Sequence, residues 1–549
     1  MELKLLTVSA LEKVFPDEEL KLQAFNKMSV LRGETASFQV AYRCDELACA
    51  VEFSCQSDLK NKVEVRETAL VSCEYPSPAG EDDKNYLRMT PGLYPDPLRA
   101  YSRKLNSPPF QWRTMWITVP VDADEQVGRH ELKIAAKVHQ WSKEVATESI
   151  TFELEVLSVE LPEQTLLHTE WFHADCIYSF YGVECWSEAH WNLLSKYFKN
   201  FADHGTNMVL TPLWTPPLDT KVGGERPTVQ LLGIEKVNGN FIFNFDSLGR
   251  WIDLALENGI KYFEMAHPFT QCGAEFCPKG EVKENGELVK MFGWHTVAMS
   301  DEYKVFLKQL FPQLLAFLDS KGVKDKCYYH VSDEPHQKHM ENYSKCAELI
   351  RSLVDGAPII DALSNVEFYE NGLVENPIPA NNHIEPFIEA GVEPLWTYYC
   401  VSQKDKVPNR FFNFPSARNR IMGVLMYKYG ISGFLHWGYN FWHSQFSLQH
   451  DLDPFKVTDA GRGFPSGDSF LVYPGKDGPV DSIRNEVQRD ALQDLRALQL
   501  LEKLQGRKAT LEMLHEGLTY ELSMTEYPQD DSWLLNKRER VNRKIVKLS

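Results

Sequence analysis

Cys327-Tyr328-Tyr329-His330-Val331-Ser332-Asp333-Glu334-Pro335 is the stretch that decides the fold. An apolar and aromatic run ends in two adjacent carboxylates, and a proline follows. The run reads as a buried parallel strand. Asp333-Glu334-Pro335 reads as the turn at its carboxyl end, where α/β barrels place their functional groups. Neighbouring side chains on a regular strand point to opposite faces. Asp333 and Glu334 can share one site only if the strand has already broken. Pro335 supports a break, because it supplies no N–H to a ladder and is expected to hold Glu334 extended. The plainer reading is a solvated pair capping a helix over 336–353. The strand and the aromatic surroundings argue against it.

Outward from this stretch, the chain divides by texture. Residues 1–160 show period-two runs, such as Ser37-Phe38-Gln39-Val40-Ala41-Tyr42 and Thr151-Phe152-Glu153-Leu154-Glu155-Val156. Turn residues separate them, which predicts a β-sandwich. Leu161-Pro162-Glu163 ends it. Strands then alternate with helices. The expected strands are 168–173, 207–213, 261–267, 327–332, 358–363, 377–381, 394–399 and 433–439. Their number and spread match a (β/α)8 TIM-like barrel over residues 166–475. Long loops at 214–240 and 268–300 are expected to wall a pocket. Residues 476–549 read as a C-terminal helical extension packed on the barrel. The fold class is therefore multidomain, β plus α/β.

The 549 residues exceed what one core can hold. Net charge is −19, from 58 basic and 77 acidic residues, a field that repels nucleic acid and anionic membranes. No signal-peptide core and no 18-residue apolar run are seen, so a cytoplasmic protein is expected. Eleven scattered cysteines suit reduced thiols. Cys272 and Cys277 share a loop, but no second Cys/His pair has zinc spacing. No metal and no cofactor are expected. Thirteen Trp, 22 Tyr and 31 Phe, many at strand ends, suit a sugar cleft, although large barrels also hold many aromatics.

Two carboxylates at a strand end suggest glycoside hydrolysis. The usual retaining scheme sets them about 5 Å apart across the sugar. Sequence neighbours cannot easily flank the anomeric carbon from both sides. An adjacent Asp-Glu fits substrate assistance better. There the 2-acetamido oxygen attacks the anomeric carbon to form an oxazoline, the Glu protonates the leaving oxygen and then activates water, and the Asp orients the acetamido N–H. The Asp is then expected to be ionised and the Glu protonated.

The chain also resembles the family 123 glycoside hydrolases, which are β-N-acetylgalactosaminidases. The resemblance rests on Arg32-Gly33-Glu34-Thr35-Ala36-Ser37-Phe38-Gln39, on Ser332-Asp333-Glu334-Pro335, and on the run from Gly433 to Trp442. It extends through Phe470-Leu471-Val472-Tyr473-Pro474-Gly475 and Gly478-Pro479-Val480-Asp481-Ser482-Ile483-Arg484. It implies Asp333 as the acetamido-orienting residue and Glu334 as the general acid/base. It also implies an exo-acting, retaining enzyme on an oligosaccharide or glycoconjugate ending in β-linked N-acetylgalactosamine.

Candidate substrate-binding residues rest on position. Trp437, Tyr439, Asn440 and Trp442 lie at or past the end of strand eight, and Trp396 and Tyr398 at the end of strand seven. Tyr398 is a candidate donor to the acetamido carbonyl. His173 ends strand one and His267 ends strand three, where each could bind a hydroxyl or be structural. Alternation sends only part of this set into the pocket. Two other readings stay open. One is a hexosaminidase of the same mechanism preferring N-acetylglucosamine. The other is a carbohydrate-binding barrel without catalysis. The oligomeric state is not legible in the sequence.

Overall fold

The computed structural model describes all residues except 21–24, 81, 102–104, 142 and 272. The chain forms two compact units. The first holds residues 1–164, 404–429 and 480–549, and the second holds 165–403 and 430–479. Among the described residues, no helix is long and apolar enough to cross a membrane.

The first unit opens with the expected β-rich region. One sheet orders Leu3–Ser9, Thr35–Cys44, Arg113–Pro120, Glu64–Cys73 and Gly92–Ala100. The other orders Lys27–Arg32, Lys143–Glu160, Gly128–Gln140, Ala48–Gln56 and Leu105–Ser107. Alternation does what pleat geometry requires. Along Gly128–Gln140, His130, Leu132, Ile134, Ala136 and Val138 are buried while Glu131, Lys133 and Lys137 face out. The two inner faces share one core, where Phe38 stacks on Phe152 with centroids 3.8 Å apart.

The C-terminal helices, expected on the barrel, group with this unit instead. Buried charge pairing explains it. Ser482 caps Ile483–Gln505 by accepting from the Asn485 N–H at 3.1 Å. Arg484 meets both oxygens of Asp96 at 2.9 Å. Arg66 reaches Asp481 and Glu486, each at 2.6 Å. Arg420 pairs with Asp494 at 2.7 Å and Arg538 with Glu34 and Asp494. Such cations are rarely buried unless paired.

The second unit is built on eight short parallel strands, each inside one of the expected runs or within a residue of it. They are β1 (Leu167–Glu170), β2 (Met208–Thr211), β3 (Tyr262–Met265), β4 (Cys327–Tyr328), β5 (Ile360–Ala362), β6 (Asn376–Ile378), β7 (Trp396–Tyr398) and β8 (Gly433–His436). Six lie in one curled sheet, ordered β4-β3-β2-β1-β8-β7. β5 and β6 form a separate pair. Single parallel bridges tie it in, Tyr329 with Ile359 and Ala380 with Tyr398. Helices follow the early strands, including Glu188–Asp203, Asp246–Glu257, Asp301–Ser320 and Met340–Leu353. The helices between β7 and β8, Ser416–Arg420 and Met422–Tyr429, belong to the first unit. The architecture is thus mixed α/β with a curled parallel sheet, not eight equivalent strand–helix repeats in one unit. The long loops after β2 and β3 are not irregular. They knit into a four-stranded sheet of Asn240–Asn244, Gly233–Val237, Gly280–Glu284 and Glu287–Phe292.

Within the first unit, Met422–Tyr429 crosses Ile483–Gln505 at Gly423. A Cβ there would lie 2.0 Å from the Ala491 carbonyl oxygen. Gly423→Ala should gain helix propensity worth about 1 kcal/mol yet lose more to overpacking, typically ~1–3 kcal/mol. A lowered urea midpoint is expected. A midpoint at or above the parent's would show that the helices separate freely.

Candidate active site

The strand carrying the decisive stretch stops early, at Tyr328, with Tyr329 adding one bridge. From His330 onward the chain is held by separate hydrogen bonds, mostly through side chains, rather than by a ladder. The Val331 N–H donates to the Asp361 carboxylate at 3.1 Å. The Ser332 hydroxyl donates to the Thr270 carbonyl at 2.8 Å. The Glu334 N–H donates to the Ala362 carbonyl at 3.1 Å. The expected extended backbone at Glu334 is not what forms. Its φ is +43°, in the left-handed region that costs a non-glycine residue about 1–3 kcal/mol. This turn breaks the strand alternation, so Asp333 and Glu334 both line one cleft.

That cleft, of about 160 Å³, is also lined by Trp171, Asp219, Gln271, Tyr398, Trp437 and Phe464. The Tyr398 hydroxyl donates to Glu334 Oε1 at 2.7 Å. Burial, then the neighbouring Glu334, pushes the Tyr398 pKa well above the usual phenol range. Burial, and next the charge of Glu334, likewise push Asp333 well above the usual carboxylate range. Two adjacent carboxyl groups on one cleft resist double ionisation, so the pair favours holding one proton between them.

Beneath the pair lies a buried charge network. His330 Nδ1 is 2.9 Å from Asp361 Oδ1, and Nε2 is 2.6 Å from Glu264 Oε1. Glu264 also accepts from the Trp171 indole N–H at 2.7 Å and from the Thr169 hydroxyl. The Tyr343 hydroxyl donates to Asp361 Oδ2. Burial alone would lower the His330 pKa, but its bonds to Asp361 and Glu264 outweigh that and push it up to about 9. His330 is thus an imidazolium at neutral pH, with both N–H groups donating. The donor atoms of His267, His330 and Asp361 lie within 4.8 Å of one another. Both ring nitrogens of His330 face carboxylate oxygens here, so the trio is arranged as a hydrogen-bonded network. In a second trio, Asp175, Cys176 and His443, the carboxylate is already paired with Arg226 at 2.8 Å.

The other sequence candidates divide sharply. Tyr398 and Trp437 line the cleft with Asp333 and Glu334. The Trp437 N–H donates to Asp468 Oδ2 at 3.0 Å, which orients its ring. Tyr439 turns away, stacks on Phe172 and donates to Asn200 at 2.7 Å. Trp442 packs on Tyr197 and Phe180. Trp396 lies over Gly433, where a Cβ would meet its indole at 2.0 Å. Asn440 clamps the backbone of His173, accepting from its N–H at 2.8 Å and donating to its carbonyl at 3.0 Å. His173 accepts from Arg226 at Nδ1 and donates to the Trp437 carbonyl from Nε2, at 3.0 and 2.9 Å. Burial and then Arg226 lower its pKa to about 3, so it is neutral and supports Trp437 from behind. His267 stacks on His330 at 3.8 Å. Burial and then His330 hold it neutral, well below its ordinary pKa. These six residues do not line the cleft. Cys272 lies outside the described residues.

Sequence reasoning missed Trp171, Asp219, Gln271, Glu264 and Asp361. Two left a signal. Glu264 in Tyr262-Phe263-Glu264-Met265 and Asp361 in Ile359-Ile360-Asp361-Ala362 are carboxylates inside apolar strands, and both are fully buried. Such groups need a partner.

The network has a titration consequence. The His330 pKa is about 9 in the fold against 6.5 for the free side chain. Its contribution to stability is therefore fully present below pH 6.5 and is lost as pH rises through 9. In 15N NMR, His330 should show two protonated ring nitrogens at pH 7.5. A neutral tautomer at that pH would refute the imidazolium assignment.

A family model described as the glycoside hydrolase 123 catalytic domain matches residues 171–501. The structure of a family 123 glycoside hydrolase from Clostridium perfringens superposes with a TM-score of 0.75 at 15% identity. The match covers 99% of this chain and 98% of that one, a likeness of fold. A Bacteroides uniformis beta-glucuronidase is far more distant, at TM-score 0.32 and 8% identity over 87% of this chain and 49% of that one. A comparison with curated protein sequences finds no match. With the family model covering more than half of its length, this chain belongs to glycoside hydrolase family 123.

Proposed function

We propose that this hydrolase releases terminal β-linked N-acetylgalactosamine, with retention, by substrate-assisted catalysis. The observation that carries the reading is the shared placement of Asp333, Glu334 and Tyr398 on one cleft, with Glu334 in a left-handed turn. Glu334 gives its proton to the leaving oxygen while the acetamido carbonyl oxygen attacks C1 and the glycosidic bond breaks. The oxazolinium ion forms, and Asp333 accepts the acetamido N–H. Glu334, now a carboxylate, takes a proton from water as the water oxygen attacks C1 and reopens the ring. Two inversions give retention.

This cycle needs Asp333 charged and Glu334 protonated, one proton between the two. Substrate sets which group carries it. An acetamido N–H donating to Asp333 stabilises its anion, and the pair, sharing one proton, passes that proton to Glu334. The Tyr398 hydroxyl, which bonds Glu334 in this structure, is then free to donate to the acetamido carbonyl. Trp437 is the aromatic platform for the ring face, since the axial 4-hydroxyl of a galacto sugar clears one face into a continuous C–H patch. The curled sheet, with the β5–β6 pair bridged to it, is read here as a closed eight-strand barrel that carries these groups at its carboxyl-end rim.

The reading separates from its alternatives by assay. Glu334→Gln should lower turnover of a poor leaving group by at least ~100-fold, and less for an activated aryl glycoside. Unchanged rates on both would remove Glu334 from the mechanism, and a wild type without turnover would favour a binding protein.

Epimer choice is tested with paired aryl β-GalNAc and β-GlcNAc substrates. A polar group matched to the axial hydroxyl is left unpaired by the gluco epimer, at ~1–3 kcal/mol, or roughly 10- to 100-fold in kcat/KM. Preference for GalNAc is expected. Equal rates would keep the mechanism but replace the substrate by N-acetylhexosamines in general. Trp437→Ala should raise KM for the preferred substrate, and an unchanged KM would move the platform elsewhere.

A further inference from the structure

A third carboxylate on the cleft has no role in the scheme above. Asp219 sits in the loop after β2 and lines the cleft with Asp333, Glu334, Tyr398 and Trp437. Its backbone is held from two other loops. The Asp219 N–H donates to the Gln271 side-chain oxygen at 2.7 Å, and its carbonyl accepts from the Ser447 hydroxyl at 2.8 Å. Lys221, two residues on, donates its N–H to the Phe446 carbonyl at 3.0 Å. One carboxylate oxygen, Oδ2, accepts from the Phe446 N–H at 2.9 Å. Asp219, Phe446 and Ser447 all adopt left-handed backbone, with φ of +41°, +58° and +52°.

Three non-glycine residues in this region cost free energy that a plain surface loop has no reason to retain. The strain fixes one carboxylate. Among the described residues no Lys, Arg or His forms an ion pair with Asp219, in contrast to Asp175, which is paired with Arg226 in the same unit. Burial pushes the Asp219 pKa up to about 6, against the opposing pull of the Phe446 N–H. A half-buried, pre-oriented carboxylate with one oxygen committed, and with Arg226 acting on it through charge but forming no ion pair, is suited to accept O–H donors from a neutral polyol. Carboxylates are acceptor-only when ionised, and each oxygen takes about two donors. The acetamido group and the anomeric carbon belong to Asp333 and Glu334, which leaves the hydroxyls at C3, C4 and C6 of the bound ring.

We propose that Asp219 is a substrate-binding, specificity-determining residue that accepts hydrogen bonds from one or more of these remote hydroxyls. The assignment rests on the functional reading above, that the cleft takes a 2-acetamido sugar at its non-reducing end. In this role Asp219 forms no covalent bond to the sugar.

The test is a cycle of enzyme and substrate changes. Wild type and Asp219→Asn are assayed on aryl β-GalNAc and on its 3-deoxy, 4-deoxy and 6-deoxy analogues. Asp219→Asn keeps an oxygen for the Phe446 N–H, and a circular-dichroism melt checks that the loop is intact. On the parent substrate, kcat/KM should fall roughly 10- to 100-fold, the scale of a lost charge-assisted bond. For at least one deoxy analogue, whose hydroxyl is already missing, the two enzymes should differ by less than about threefold. Asp219→Ala should show the same loss of penalty on the same analogue. Wild type cleaving the parent, with all three deoxy penalties unchanged in both variants, would refute the Asp219 assignment alone. Wild type cleaving no 2-acetamido glycoside would sink the functional reading and this assignment with it. A glycosyl ester trapped on Asp219 by a 2-fluoro sugar would replace both with a two-carboxylate mechanism.

Discussion

His330 is held between two carboxylates that come from different strands. Glu264 belongs to β3 and Asp361 to β5, while His330 itself follows β4. A charge buried this deeply costs several kcal/mol unless it is paired and fully hydrogen-bonded. Here every partner is in place: two carboxylates on the imidazole, with Trp171, Thr169, Tyr343 and the Val331 N–H on those carboxylates. The network joins the carboxyl ends of β1, β3, β4 and β5. It does so where the regular ladder has ended, which is why Asp333 and Glu334 can leave strand geometry and still be rigidly placed.

The same network sets the electrostatics above it. A cation beneath Asp333 opposes the rise in its pKa, whereas burial and the adjacent Glu334 drive it up. The pair is therefore poised to hold one proton between two carboxyl groups, a state that like charges in contact impose. Which oxygen carries that proton depends on what else bonds to each group. Tyr398 bonds Glu334, and a donor placed on Asp333 would favour the Asp333 anion.

Around this rigid floor the walls are built from loops tied to one another. The segments after β2 and β3 share a four-stranded sheet, and the segment after β8 is bolted to the first of them through Asp219, Phe446 and Ser447. Left-handed residues cluster at that joint. The aromatic wall is similarly braced, since Arg226 pairs with Asp175 and supports His173, which in turn holds the Trp437 carbonyl. Several residues that looked like ligand contacts are the bracing, and one that drew no notice, Asp219, faces the cleft.

The sequence by itself determined the order of the parts and the chemistry at their centre. Period-two alternation around Leu132, Ile134 and Ala136 marks a half-buried sheet, because the pleat sends every second side chain to one side. The eight apolar runs were legible because parallel strands are buried on both faces. Asp333 and Glu334 stood out because two carboxylates next to a proline cannot continue such a strand. Only the tertiary structure decided the rest. Tyr439, Trp442 and Trp396 are as aromatic as Trp437, and their facing depends on where β7 and β8 stop, which is a matter of hydrogen bonds from other strands. The C-terminal helices carry no local sign of their partner; Arg484 finds Asp96, nearly 390 residues away in sequence, only once the chain is folded. The left-handed turn at Glu334 is held by its N–H bond to Ala362, and the raised pKa of Asp333 comes from burial and from Glu334 against the opposing pull of His330. Local pattern records which residues must be buried, whereas direction and charge state are set by groups that meet only in the fold.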